Sequence, residues 1–267
     1  MGTLRAYAAL ARAGFRRYST YLQATVAGIV ANTTFGFLRT YILLSVAGSA
    51  GRLAGYDEAQ LLTFVWVGQG LIAVVNAWTI VDLADRVRTG DIVADLLRPV
   101  GPFAAHLCTD LGRAGFAMLT RFVVPISAGL LAFGLYLPRN PLSYVLFGVS
   151  VTIAVVISFC GRYLIALTAF WLLDTRGLNQ VWVFFWGGGS GLYFPLPVLP
   201  DWLQLVLWIG TPFPSTLQAP LDIAVERGGP GHAGLVLLAQ VAWLGVTLLA
   251  CRHVQRRAWR KLVVQGG

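Results

Sequence analysis

Apolar positions along the chain fall into long runs, separated by short polar stretches that carry most of the charge. A helix of about 20 apolar residues, at about 1.5 Å each, crosses a hydrocarbon core about 30 Å thick. By that ruler the chain is an all-α integral membrane protein with about six membrane-spanning helices, read as one domain over 1–267. The expected spans cover 23–48, 60–82, 110–136 and 142–172, a fifth from about Asn179, and 234–251. The fourth is long enough to be tilted or broken near Gly161-Arg162. The fifth is interrupted at Gly187-Gly188-Gly189-Ser190-Gly191, where each glycine costs about 1 kcal/mol of helix propensity relative to alanine.

Three segments outside the spans have patterns of their own. Residues 1–22 predict an amphipathic helix lying in the headgroup layer. Leu4, Tyr7, Ala8, Ala11, Phe15, Tyr18 and Leu22 recur at three- and four-residue spacing, with Arg5, Arg12 and Arg16 beside them. Residues 83–103 hold Asp85, Arg86, Arg88, Asp91, Asp95 and Arg98, directly after Asp82. They cannot lie in lipid, where each central charge costs about 2.5–3.5 kcal/mol. Residues 192–233 are rich in proline, and within them Asp201 is placed to cap a short apolar helix from Trp202 to about Ile209. That helix is too short to span and reads as a re-entrant or interfacial segment, with Trp202 and Trp208 near the headgroups.

Composition supports the membrane reading. Charged residues make up 12% of the chain, about half the usual share of a soluble domain. The net charge of +9 sits at the ends of apolar runs, where arginines meet lipid headgroups rather than nucleic acid. With both termini inside, thirteen Arg and Lys fall on inner segments and three on outer ones: Arg52, Arg139 and Arg227. That asymmetry orients the chain with cytoplasmic termini in the cell's inner (plasma) membrane. The basic N-terminal stretch and the run behind it, which contains Arg39, are too long for a cleaved signal, so the first span is expected to be retained. Cys108, Cys160 and Cys251 have no paired spacing and read as small buried apolar residues.

The most specific local feature is Arg88-Thr89-Gly90-Asp91-Ile92-Val93-Ala94-Asp95-Leu96-Leu97-Arg98-Pro99. Gly90 allows a sharp turn, Asp91 is placed to cap a short helix, and Pro99 ends it. Ile92, Val93, Leu96 and Leu97 make one apolar face, while Asp91 and Asp95 sit one turn apart on another. Such a helix fits a groove on a soluble partner or lies flat on the membrane. Polar residues inside spans are functional candidates: Asn32, Arg39, Gln69 and Asn76, with Trp182 and Phe185 able to stack on an amphiphile. Asp110, Arg121 and Arg162 are weaker path candidates, and the alternative reading of Asp110, Arg113 and Arg162 is that they reach the interface by snorkelling. The Gly187–Gly191 stretch lines an interior or packs closely against another helix. No HExxH, no GxSxG and no paired intramembrane carboxylates occur, and no Gly-Lys-Ser/Thr follows the glycines.

On these motifs the chain resembles the ABC type-2 exporter permeases, in particular the roughly 260-residue branch associated with export of drugs and organic cations. Three stretches carry the resemblance. They are the N-terminal helix leading through Arg17-Tyr18, Gly90-Asp91-Ile92 with Asp95-Leu96-Leu97-Arg98-Pro99, and Phe194-Pro195-Leu196-Pro197-Val198-Leu199-Pro200-Asp201-Trp202-Leu203 with Pro212-Phe213 and Pro220. The resemblance implies a permease working with a second permease, identical or a sister chain, and with a separate ABC ATPase that binds ATP and Mg. It implies a coupling helix over Arg88, Gly90, Asp91, Ile92, Asp95, Leu96, Leu97 and Arg98, and a path between the permeases. This chain is then no enzyme by itself and holds no cofactor. The rivals are a membrane-embedded enzyme, which needs clustered acids or histidines, and a stand-alone carrier, which needs paired intramembrane acids or an inverted repeat.

Overall fold

An 18-residue helix, α1 (Gly2–Ser19), leads into α2 (Leu22–Ala47) after a break at Thr20-Tyr21. The computed structural model describes residues 2–48, 52–98, 100–172 and 174–261. A hairpin of two-residue strands follows, β1 (Arg52–Leu53) and β2 (Tyr56–Asp57), paired Leu53 to Tyr56. Ala54 and Gly55 both take positive φ, as a tight hairpin turn requires. Asp57 then caps α3 (Glu58–Val75) through a full capping box with Gln60.

Beyond α3 come the short helices α4 (Leu83–Thr89) and α5 (Ile92–Leu96). Next is α6 (Pro102–Ala117), joined through a π turn at Met118–Phe122 to α7 (Val123–Phe133). Then follow α8 (Pro141–Leu167), α9 (Arg176–Gly189), α10 (Asp201–Gly210), α11 (Gln218–Ala224) and α12 (Gly229–Trp259). Five described stretches are long and apolar enough to cross a membrane: Leu22–Val46, Glu58–Val75, Pro102–Phe133, Pro141–Phe170 and Gly229–Trp259. The expected fifth span in chain order is α9, which has 14 residues, runs through Gly187, Gly188 and Gly189 and ends at Ser190. At 1.5 Å per residue it is about 21 Å long.

α3 is the hub. α2, α6, the π turn, α7, α8 and α11 all pack on it, and 78% of its span is buried against 17% for α2. Leu61, Phe64, Leu71 and Val74 meet Ala154 and Val155 of α8, Trp186 of α9 and Leu221 of α11 in the largest core. A second core joins Leu83, Ala84 and Ile92 to Phe159, Cys160 and Tyr163 of α8 and to Cys251 and Ala258 of α12. With Arg17 bonded to Asp82, this gathers the ends of α1 and α12 with α4 and α5 at one end of the molecule, called here the loop end.

Several boundaries differ from the sequence expectations for local reasons. The second span stops at Val75, not 82, because Asn76 takes φ +48° and ends the helix. The fourth is unbroken at Gly161-Arg162. Gly161 is there for close packing: a Cβ would meet the Trp182 indole at 2.3 Å. Part of the apolar face of α1 packs on protein rather than lipid. Phe15 meets Phe116 edge-on, and a Cβ at Gly112 of α6 would strike the Ala11 carbonyl oxygen at 1.9 Å. The short helix after Pro200 forms, but its cap position is Pro200, and Asp201 is its first helical residue with no capping bond.

Candidate coupling element and transport path

The segment after α3 folds back on itself. Gly90 closes α4 with φ +82°, a conformation that costs a residue with a Cβ about 1 kcal/mol or more. Arg86 on α4 then grips the Asp95 carboxylate on α5, with Nη2 to Oδ1 at 2.9 Å and Nε to Oδ2. Arg98 reaches the same carboxylate at 3.3 Å. Asp91 sits at the cap position of α5 but makes no capping bond, and its Oδ2 accepts from Thr89 Oγ1 at 2.8 Å.

This arrangement divides the expected faces differently. Ile92 is buried in the second core, so it anchors the element rather than presenting it. Asp95 is buried in its ion pairs and does not face outward with Asp91. The open surface consists of Val93, Leu96 and Leu97, exposed by 41%, 39% and 85%, flanked by Arg88, Asp91 and Arg98. The expected stop at Pro99 lies outside the described residues. The result is a greasy, charge-flanked tip on a base fastened to α8 and α12.

The six path candidates do not converge on one place. Asn32 donates to the Gln69 carbonyl at 3.3 Å, while the Gln69 side chain is buried in the protein. Arg39 is half-buried and donates to the Leu192 carbonyl beyond α9. Asn76 lies at the loop end of α3. Its side chain bonds Thr79, and its carbonyl accepts from Ser158 at 3.2 Å. Trp182 faces α8 and Phe213, with ring centroids 5.1 Å apart, so it serves packing. Phe185 is open, alongside Phe184.

Sequence reasoning placed Asp110, Arg113 and Arg162 at the interface, and the structure buries all three together. Arg113 Nε donates to Asp110 Oδ1 at 2.7 Å, and Arg162 Nη2 to Asp110 Oδ2 at 2.7 Å. Arg113 also donates to the carbonyls of Ala73 at 2.6 Å and Val74 at 2.9 Å, satisfying the last turn of α3. The three-residue spacing of Asp110 and Arg113 on one helix was the available signal.

Two further networks lie at the opposite, hairpin end. Tyr56 Oη donates to Asp222 Oδ1 at 2.5 Å, and Gln218 Nε2 donates to both, at 2.8 Å to the hydroxyl and 2.9 Å to the carboxylate. Burial, with Asp222 beside it, raises the Tyr56 pKa well above its usual value. Glu226 accepts from Tyr136 Oη at 2.5 Å, Ser143 Oγ at 2.6 Å and the backbone N–H groups of Arg139 and Asn140 at 3.0 and 2.9 Å. Desolvation opposes its charge, but those bonds outweigh it and hold its pKa down at about 2. Burial, and next the Glu226 carboxylate, push Tyr136 up to about 12.

Helices of spanning length around a buried central helix, with polar groups held inside, define a multi-pass membrane protein. The family model described as ABC-2 family transporter protein matches residues 30–266. The chain therefore belongs to the ABC-2 transporter family and is the membrane permease component of an ABC transporter, not itself catalytic, with an ABC ATPase as the partner its family implies. No curated protein matches the chain.

Proposed function

We propose that the chain is the permease subunit of an ATP-driven exporter, moving an amphiphilic or drug-like molecule out of the cytoplasm or inner leaflet. It sits in the inner membrane with both termini and the α4–α5 element in the cytoplasm. A separate ATPase chain, with its ATP and Mg, docks on that element. The observation that carries this is its mounting. A tip of Val93, Leu96 and Leu97 stands open, while Ile92, Leu83 and Ala84 tie its base to α8 and α12. The Arg86–Asp95 bond keeps α4 and α5 from moving separately, so a push on the tip reaches the spans. The C-terminal ends of α1 and α12 lie with this element at one end, which supports the orientation read from the arginines.

A second permease, identical or a sister chain, completes the path. Phe185 of α9 and Tyr41 of α2 are open on this chain and available to a partner or a passenger. The test is co-expression with its candidate ABC ATPase. Leu97→Asp combined with Asp91→Lys should abolish co-purification and the permease-dependent change in ATPase rate, with the permease's own melting unchanged. Full retention of the ATPase by that variant would remove the docking role.

A further inference from the structure

Two hollows of about 60 and 100 Å³ meet where α1, the end of α3, α6 and α8 come together, sharing Tyr18, Thr79 and Arg113 as walls. The smaller is lined by Arg17, Arg113, Arg162 and His106, with Asp82 and Asp110. The larger carries Arg113 and Arg121 with Thr25, Asn76 and Thr79, and among its lining residues there is no carboxylate.

The charges do not balance. Arg17 has Asp82 for a partner at 2.6 Å. Arg113 and Arg162, both buried, share the single carboxylate of Asp110. Arg162 Nε is buried on the wall of the smaller hollow and has no hydrogen-bond partner among the described residues. Arg121 donates to the Ala24 carbonyl at 2.8 Å and makes no ion pair among the described residues. A buried guanidinium without its own counter-charge is costly, and each unmet N–H adds to that cost. An anion is the missing group. The other walls narrow its kind, because Trp78, Phe116 and Ala117 help make the larger hollow mostly apolar. Arg121 also lies in the π turn, a backbone irregularity that concentrates at functional positions.

We propose that this basin binds an anionic head of the phosphate class, reached from the leaflet beside α1. Arg113, Arg121 and Arg162 supply the donors, and Trp78 and Phe116 flank the first carbons of an attached tail. The site stands on its own geometry whether or not the chain exports anything.

The purified full chain is compared in detergent with dioleoylphosphatidylglycerol, with dioleoylphosphatidylcholine, and with the latter plus millimolar inorganic phosphate. Melting temperature and retained lipid by native mass spectrometry are the readouts. The anionic lipid is expected to raise the melting temperature and remain bound. Arg121→Gln should weaken its retention about tenfold, the loss expected for one charge-assisted bond. Arg162→Met removes the surplus buried charge, so it should melt no lower than wild type in the neutral lipid and gain less from the anionic one. Stabilisation by phosphate alone would identify the ligand as a free anion. Stabilisation by the anionic lipid alone would identify it as a headgroup. Equal melting in all three conditions, or undiminished anionic-lipid binding by both variants, would overturn the site.

Discussion

Arg86 holds both oxygens of the Asp95 carboxylate, nine residues further along the chain, and so locks α4 to α5 across the Gly90 turn. Asp91, one helical turn earlier than Asp95, stays open. Two acids with the same apparent standing in the sequence therefore do different work. Asp95→Lys should loosen the segment at a cost of about 1–3 kcal/mol and open it to protease between 82 and 98. Asp91→Lys should leave the cleavage pattern of the wild type intact. Identical protection in both variants would mean that the Arg86 bond does not shape the loop.

Acid should act on the chain through Glu226. Its pKa is about 2 in the folded chain, below the roughly 4.3 of a free glutamate. A depressed carboxylate stabilises the fold fully above the unfolded value, and the contribution is lost as pH falls through the window from about 4.3 to about 2. Melting in detergent should therefore drop between pH 5 and pH 3 more steeply for wild type than for Glu226→Gln, by about the share that window represents. Parallel curves would contradict the assignment.

Gly161 and Trp182 form a fitted pair between α8 and α9. Gly161→Val should overpack the contact and cost about 1–3 kcal/mol. Trp182→Ala in the same chain should restore part of that loss, because the space taken by the new side chain is the space the indole leaves. Additive losses in the double variant would show that the two do not touch in solution.

Asp110 is the only carboxylate shared by two buried arginines in its cluster among the described residues. Asp110→Asn should destabilise the chain by about 3–5 kcal/mol, since it leaves both guanidinium groups uncompensated. Reversible unfolding in mixed micelles measures it. A change under about 1 kcal/mol would mean that an anion already neutralises the pair or that water solvates it.

The spans were legible because the length of an apolar run and the rise of a helix set the answer together, and α2, α3, α8 and α12 appear close to where those runs lie. The interruption of α9 was legible only in part, since Gly187, Gly188 and Gly189 stay helical and the helix ends at Ser190, before the positive φ of Gly191. What resisted reading was anything decided by a distant neighbour. Gly161 looked like a break because its sequence does not show the indole of Trp182. Asn76 looked like one polar residue within a span, whereas its positive φ ends the helix and Arg113, some forty residues on, takes up the last carbonyls. Tyr56 and Asp222 lie 166 residues apart and have no sequence pattern linking them. In the loop, periodicity grouped Ile92 with Leu97, and only the wall formed by α8 and α12 separates the buried anchor from the open tip.

The 14 residues of α9 leave about 9 Å of a 30 Å hydrocarbon core without that helix. Lipid beside it must thin, or the Pro195–Gly210 stretch must fill the shortfall. Where lipid thins to match α9, a polar solute crossing along it would face about two-thirds of the full apolar thickness; where the largely apolar α10 fills the gap, the full thickness is kept.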